Sequence, residues 1–239
     1  MARPLLTLTA TVLFCSSLSA QQIQRQLGDF DLKLSTNSPR SMAQGLISPS
    51  AVGALHGGVD IRHSNGWYFG QYAPSFGLSP NSTLKLDSYL GYRGRLDDSL
   101  GFEAGLIHYS KPNLADSDSY ALYGGISVSD THFGWALRDN PGNLIGTFLA
   151  DFGQLPLLEV DLTLKVAHHR LSTPFTIGDG SQVGSFSDWY LELSRPWLGI
   201  DLNLIYSSSD LQGAGCDLYA GINSYCERLV IFKAQRSFF

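Results

Sequence analysis

Beyond its first twenty residues the chain never runs apolar for the roughly 20 residues that a membrane-spanning helix needs, which excludes a helical membrane protein. Charge is scarce: Asp, Glu, Lys and Arg make up 15% of 239 residues, and the formal net charge is −5. That mildly acidic balance leaves no basic footprint for nucleic acid. Cysteine is nearly absent, with only Cys15, Cys216 and Cys226, too few for a small disulfide-built fold. The chain also lacks a Gly-rich phosphate loop, a metal-ligand cluster and a carboxylate dyad at catalytic spacing. No cofactor and no enzymatic activity are therefore expected.

What remains is rich in glycine, with 25 residues, and in aromatics, at 12%. The chain opens with a leader. Met1 to Ala20 has one positive charge at Arg3, an apolar stretch from Leu5 to Leu18, and small residues Ser17, Ser19 and Ala20 before the polar Gln21. This pattern reads as a secretory signal peptide over residues 1–20, with Cys15 in the discarded part and residues 21–239 forming one domain.

In the mature part, tight turns and long polar loops alternate. The tight turns read His63-Ser64-Asn65-Gly66, Leu96-Asp97-Asp98-Ser99, Ser129-Asp130-Thr131, Gly153-Gln154-Leu155-Pro156 and Arg195-Pro196-Trp197, each with a residue suited to reversal. Long loops cover Ser38 to Ala51, Pro74 to Ser82, Lys111 to Ser119, Ser172 to Ser185 and Ser207 to Tyr225. Asp139-Asn140-Pro141-Gly142 is the short exception on the long side. One short rim and one elaborated rim are what a meandering membrane barrel displays.

Period-two alternation separates two faces. Phe30, Leu32 and Leu34 alternate with Asp31 and Lys33; Leu84, Leu86 and Leu90 alternate with Lys85, Asp87, Tyr89 and Arg93. Phe102, Ala104 and Leu106 alternate with Glu103, and Leu158, Val160, Leu162, Leu164 and Val166 with Glu159, Asp161, Thr163 and Lys165. Trp189, Leu191 and Leu193 alternate with Tyr190 and Glu192, and Ile200, Leu202 and Leu204 with Asp201 and Asn203. About twelve such segments are expected.

A soluble antiparallel sandwich produces the same alternation. Segments of about 9–12 residues favour tilted membrane strands over soluble ones, which average about 5–6. Aromatics near strand ends (Trp67, Tyr68, Tyr109, Trp135, Trp189, Trp197, Tyr206, Phe238) favour an interfacial girdle, and the loop alternation points the same way. The final segment Arg228 to Phe239 reads as a closing strand whose apolar face carries Val230, Phe232, Ala234 and Phe238.

Ordered blocks extend the reading. Val52 to Ala73 (VGALHGGVDIRHSNGWYFGQYA), Leu84 to Gly94 (LKLDSYLGYRG), Leu100 to Asn113 (LGFEAGLIHYSKPN), Tyr120 to Ser127 and the closing RLVIFKAQRSFF after a cysteine-bearing loop run through nearly the whole mature chain. In that order they resemble the TorF family of small proteobacterial outer-membrane proteins, classed as porins. The early Asn37-Ser38-Pro39-Arg40-Ser41 departs from the family pattern, as does Ala121 where an acidic residue is common. The resemblance implies an outer-membrane pore and leaves its solute open.

The sequence thus reads as an all-β, antiparallel up-and-down transmembrane barrel of about 12 strands in the bacterial outer membrane. Its expected partners are outer-membrane lipid, the barrel assembly machinery, and small solutes or ions passing by diffusion. Pore-lining candidates are Asp31, Lys33, Lys85, Asp87, Arg93, Glu103, Glu159, Asp161, Lys165, Glu192 and Asp201, with Lys233 on the same face. Both signs are interspersed, where a strongly selective pore would carry a ring of one sign. Cys216 and Cys226 should pair in an oxidising compartment, closing a ring of about ten residues for roughly 2–3 kcal/mol. Two alternatives stand beside the pore. A closed structural or adhesion barrel would fill its interior with ion pairs. A lipid-facing hydrolase would use His108 and Ser110, two apart on one strand and thus on one side, although no acidic residue obviously orients the imidazole.

Overall fold

Alternating side chains pair into thirteen antiparallel strands in a computed structural model. It describes residues 23–35, 43–46, 56–78, 83–112, 118–155, 158–177, 180–197, 200–211, 213–218 and 226–235. Residues 1–22, over which the leader is expected, and the last four residues of the chain lie outside these. The strands are β1 (Ile23–Leu27), β2 (Phe30–Ser35), β3 (Gly57–His63), β4 (Trp67–Phe76), β5 (Leu84–Arg95), β6 (Leu100–Ser110) and β7 (Ser119–Val128). They continue as β8 (Thr131–Asn140), β9 (Asn143–Leu155), β10 (Val160–Thr176), β11 (Gln182–Trp197), β12 (Ile200–Ser209) and β13 (Leu229–Gln235). Each pairs with its sequence neighbours in a single sheet. A one-turn helix α1 (Ala43–Leu46) lies between β2 and β3, and a 3-10 turn (Gly213–Leu218) precedes β13. No described helix is long and apolar enough to cross a membrane.

The turn chemistry is local and specific. At β3–β4, Gly66 takes φ 102° and donates its N–H to His63 O at 3.0 Å, while Asn65 Oδ1 accepts from Trp67 N at 3.3 Å. Only glycine occupies that backbone region without a Cβ penalty. At β5–β6, the Asp97 carboxylate accepts from Ser99 N at 2.7 Å, Leu100 N at 2.6 Å and Ser99 Oγ at 3.0 Å. These donors hold its pKa below the usual carboxylate value. Pro141-Gly142, with Gly142 at φ 77°, makes the short β8–β9 turn.

Several boundaries differ from the sequence expectation. The extra strand is β1, which forms a hairpin with β2 across Gly28-Asp29. The reversal expected at Gly153 to Pro156 comes later: β9 runs to Leu155, and Leu158 N and Glu159 N both reach back to Leu155 O. Arg195, Pro196 and Trp197, expected to form a reversal, belong to β11 instead. Ser172 to Ser185 is a paired hairpin rather than a loop, since β10 extends to Thr176 and β11 starts at Gln182. Phe175 and Thr176 pair with Val183 and Gln182, and Ile177 N donates to Ser181 O at 2.8 Å. Pro74 continues β4, at the register shift between Tyr72 and Ser75 where a missing N–H breaks no ladder.

The two faces are inverted relative to those of a water-soluble sheet. Trp67, Phe69, Leu90, Leu106, Leu122, Trp135, Leu137, Phe148, Leu204 and Phe232 are 40–66% exposed. Lys33, Asp60, Asp87, Glu103 and Asp188, on the other face, are 0–6% exposed. That polar face is concave enough for side chains three strands apart to meet, as Tyr68 of β4 and Tyr123 of β7 do. α1 rests in the hollow, where Tyr109 Oη donates to Leu46 O at 2.8 Å and Leu149 packs against Gly45.

Candidate functional site

The concave face is the place where this chain gathers its ionisable groups, and it has two unlike walls. The first runs over β3–β9. Tyr89, Tyr68 and Tyr123 stand directly opposite Gly70, Gly91 and Gly105 on neighbouring strands. A Cβ at any of the three glycines would overlap the facing ring, so each ring lies flat over bare backbone. The phenols point their hydroxyls at carboxylates. Tyr68 Oη donates to Glu103 Oε1 at 2.6 Å and shares a hydrogen bond with Tyr123 Oη. Tyr89 Oη donates to Asp60 Oδ2 at 2.8 Å. Arg93 reaches Glu103 Oε2 through Nε at 2.9 Å and Nη2 at 2.6 Å, and Arg62 Nε lies 3.3 Å from Asp60 Oδ1. Hydrogen bonds to charged groups contribute about 1.5–3 kcal/mol each, which offsets the burial of Asp60 and Glu103. Toward the long-loop end, Arg138 lies 3.7 Å over the Tyr109 ring and donates Nε to Ser119 Oγ at 3.0 Å. Packing by α1, Ile107, Ala121, Ala136 and Leu149 completes this wall.

The second wall is formed by β10–β12 and is only partly covered. Asp161, Thr163 and Lys165 on β10 stand opposite Ser194, Glu192 and Tyr190 on β11, and all six are half-buried. Tyr190 Oη donates to Glu192 Oε2 at 2.5 Å. Nearer the long-loop end this strip stops at a sealed layer. His169 and Asp188 are both fully buried, with Nε2 to Oδ2 at 3.4 Å. Asn143 Nδ2 sits 3.1 Å from His169 Nδ1, and the imidazole stacks on Phe186 with centroids 4.2 Å apart. Phe186 belongs to a small apolar cluster with Leu211 and Cys226. Cys226 is bonded to Cys216, with Cα atoms 5.4 Å apart.

The proposed lining residues therefore fall into different environments. Lys33, Asp87 and Glu103 are buried; Asp31, Lys85, Asp161, Lys165 and Glu192 are half-buried; Arg93 joins Glu103. Gln24 Nε2 donates to both Asp31 oxygens at 3.1 Å. Glu159 lies in the turn before β10, largely exposed and 3.2 Å from Arg195 Nη2. Lys233 is exposed on β13, and the Asp201 side chain lies outside the described residues. Among the described residues no group of His, Cys, Asp and Glu could hold a metal ion.

Two features of the sequence reading change. Tyr68 and Tyr109, assigned to an aromatic rim, are buried on the concave face, and Trp135 sits mid-strand. Their neighbours Trp67 and Tyr120 carry the exposed apolar face instead. The imidazole of His108 does have an acid: Nε2 is 3.1 Å from Asp118 Oδ2, and the ring stacks on Tyr120 at 4.6 Å. Ser110, on the same face, directs its hydroxyl to Leu86 O at 3.4 Å. The sequence reading does not reach the His169–Asp188–Asn143 layer, since adjacent histidines on a strand are expected to face opposite ways. They do so: His168 is exposed and bonds Ser187 Oγ at 3.0 Å. The available signal was that His169 shares the parity of Lys165.

Residues 44–238 match the model of a family described as bacterial protein of unknown function (Gcw_chp). No curated protein and no solved structure matches the chain.

Proposed function

The chain belongs to the Gcw_chp family, and we infer its role from its own two faces. We propose that it is a closed β-barrel of the bacterial outer membrane, exported by a cleaved leader, that passes small polar solutes or ions by diffusion. The observation that carries this reading is the inversion of the sheet: large apolar side chains point out along every strand from β4 to β9, while Asp60, Asp87, Glu103, Asp188 and Lys33 are buried within. Such a sheet is costly in water and natural in lipid, where an apolar band faces the bilayer and polar groups face the interior. The short-rim and long-rim connections and the TorF resemblance agree with it, and they suggest outer-membrane lipid and the barrel assembly machinery as its partners.

The solute path in this reading follows the half-buried strip on β10–β11. Asp161 and Glu192 outnumber Lys165 there, so a slight preference for cations is expected. Ser110, engaged with Leu86 O, lends no support to a lipid hydrolase. A closed structural barrel is the second reading, favoured by the wall over β3–β9, where α1 and the tyrosines fill the hollow. Single-channel recording in a planar bilayer across a salt gradient separates the two. Discrete steps with a cation-side reversal potential support the pore; silence from protein shown to be folded and inserted favours the structural barrel.

A further inference from the structure

The thirteen strands pose a closure problem at the edges of the sheet. All neighbouring strands are antiparallel, so β1 and β13, the two edges of the sheet, run in the same direction. Joining them would make a parallel seam. β2 runs opposite to β13, but its outer edge is occupied by β1, which pairs with Phe30 to Leu34. We infer that the native seam is β2–β13 and that β1 is a placeholder strand, displaced from β2 when β13 arrives. The inference rests on the closed-barrel reading above.

Four observations carry it. Removing β1 leaves twelve strands, the even number that antiparallel closure requires. Faces match in the end-to-end register: Leu32 falls opposite Phe232 and Leu34 opposite Val230 on the apolar side, with Asp31 opposite Lys233 on the concave side. All of Phe30 to Ser35 then pair with Leu229 to Ala234, and Phe232 and Val230, now 66% and 62% exposed, gain neighbours. β1 itself is exposed at every residue, so little holds it beyond its ladder and the Gln24–Asp31 bonds. Finally, Arg25 is paired with Leu32 and so lies on the apolar face, where a guanidinium is costly in lipid. Displacement also brings the chain before β2 to the short-turn rim, the rim at which β13 ends. The strand exchange trades one set of backbone hydrogen bonds for another and adds an ion pair and an apolar seam.

Paired cysteines read the seam directly. In a C216S/C226S background, the processed chain is refolded into phosphatidylcholine vesicles and oxidised. Leu32→Cys with Phe232→Cys should bridge, and Leu32→Cys with Arg25→Cys should not; both positions in each pair would be directly opposite if joined. Bridging of 25 to 32 with none between 32 and 232 overturns the inference. A second variant keeps the native cysteines and deletes residues 23–27: insertion equal to that of the full chain is expected, and loss of insertion by this variant alone overturns it. Failure of the full chain to float with vesicles would instead defeat the membrane reading, and this inference with it.

Discussion

The two walls of the concave face bury the same kinds of residue for different ends. Over β3–β9, Asp60 and Glu103 each have a phenol bonded to them and a guanidinium beside them, and glycines make room for the rings. Over β10–β12, Asp161, Lys165 and Glu192 stay half-covered until the His169–Asp188 layer. The contrast teaches that a polar interior is not one environment. The first wall is built as a core by close packing; the second leaves its charges half-covered. Substitution should therefore cost stability in the first wall and change selectivity in the second.

The largest effect breaks the orientation that both walls share. Leu162→Arg puts a charge on the apolar face and should destabilise the bilayer-folded protein by about 2–4 kcal/mol. Thr163→Arg, facing the hollow, should cost little, and urea titrations in vesicles followed by circular dichroism compare them. The seal at the end of the second wall comes next. Cys216→Ser with Cys226→Ser should lower stability by about 2–3 kcal/mol, as expected for a ring of this size, and should speed proteolysis after Arg228.

A glycine pair sharpens the difference in packing. Gly105→Ala drives a methyl into the Tyr123 ring and should cost about 1–3 kcal/mol, whereas Gly184→Ala meets only Pro174 at van der Waals distance and should be near neutral. The corresponding charge pair divides the readouts. Glu103→Gln weakens bonds from Tyr68 and Arg93 and should cost about 1–2 kcal/mol without moving the reversal potential; Glu192→Gln should leave stability almost unchanged and move that potential toward zero. The smallest effect is at the β5–β6 turn. Asp97 has a lowered pKa, so its contribution is present above the ordinary carboxylate value near pH 4 and disappears as pH falls through the lower folded value. Asp97→Asn should abolish this acid-side loosening, which hydrogen exchange at Ser99 and Leu100 would report.

Much of this architecture was legible in the residues. Alternation such as Leu162-Thr163-Leu164-Lys165 assigned both faces, because a strand's side-chain period leaves no other option once one face is apolar. Asn65-Gly66 and Pro141-Gly142 marked turns through backbone geometry alone. Strand ends were less readable: Ser172 to Thr176 looks like loop by composition, yet Phe175 and Thr176 pair with Val183 and Gln182. The division of the polar face was not readable at all. Asp87 and Asp161 have the same local pattern, and only the tertiary placement of α1, Tyr109 and Arg138 covers one and not the other. The Tyr–Gly pairs likewise join residues 18 to 23 apart, a register set by pairing and invisible to periodicity.

The inversion of the sheet is the central claim, and Trp135 tests it most directly, being 56% exposed at the middle of β8 on the apolar face. With the other three tryptophans replaced by Phe, its fluorescence would be measured in vesicles carrying bromines at graded acyl-chain depths. The account predicts strong quenching that peaks deep in the acyl region, and no folded state in buffer without lipid or detergent. Folding in plain buffer, with Trp135 unquenched by any brominated lipid, would contradict it.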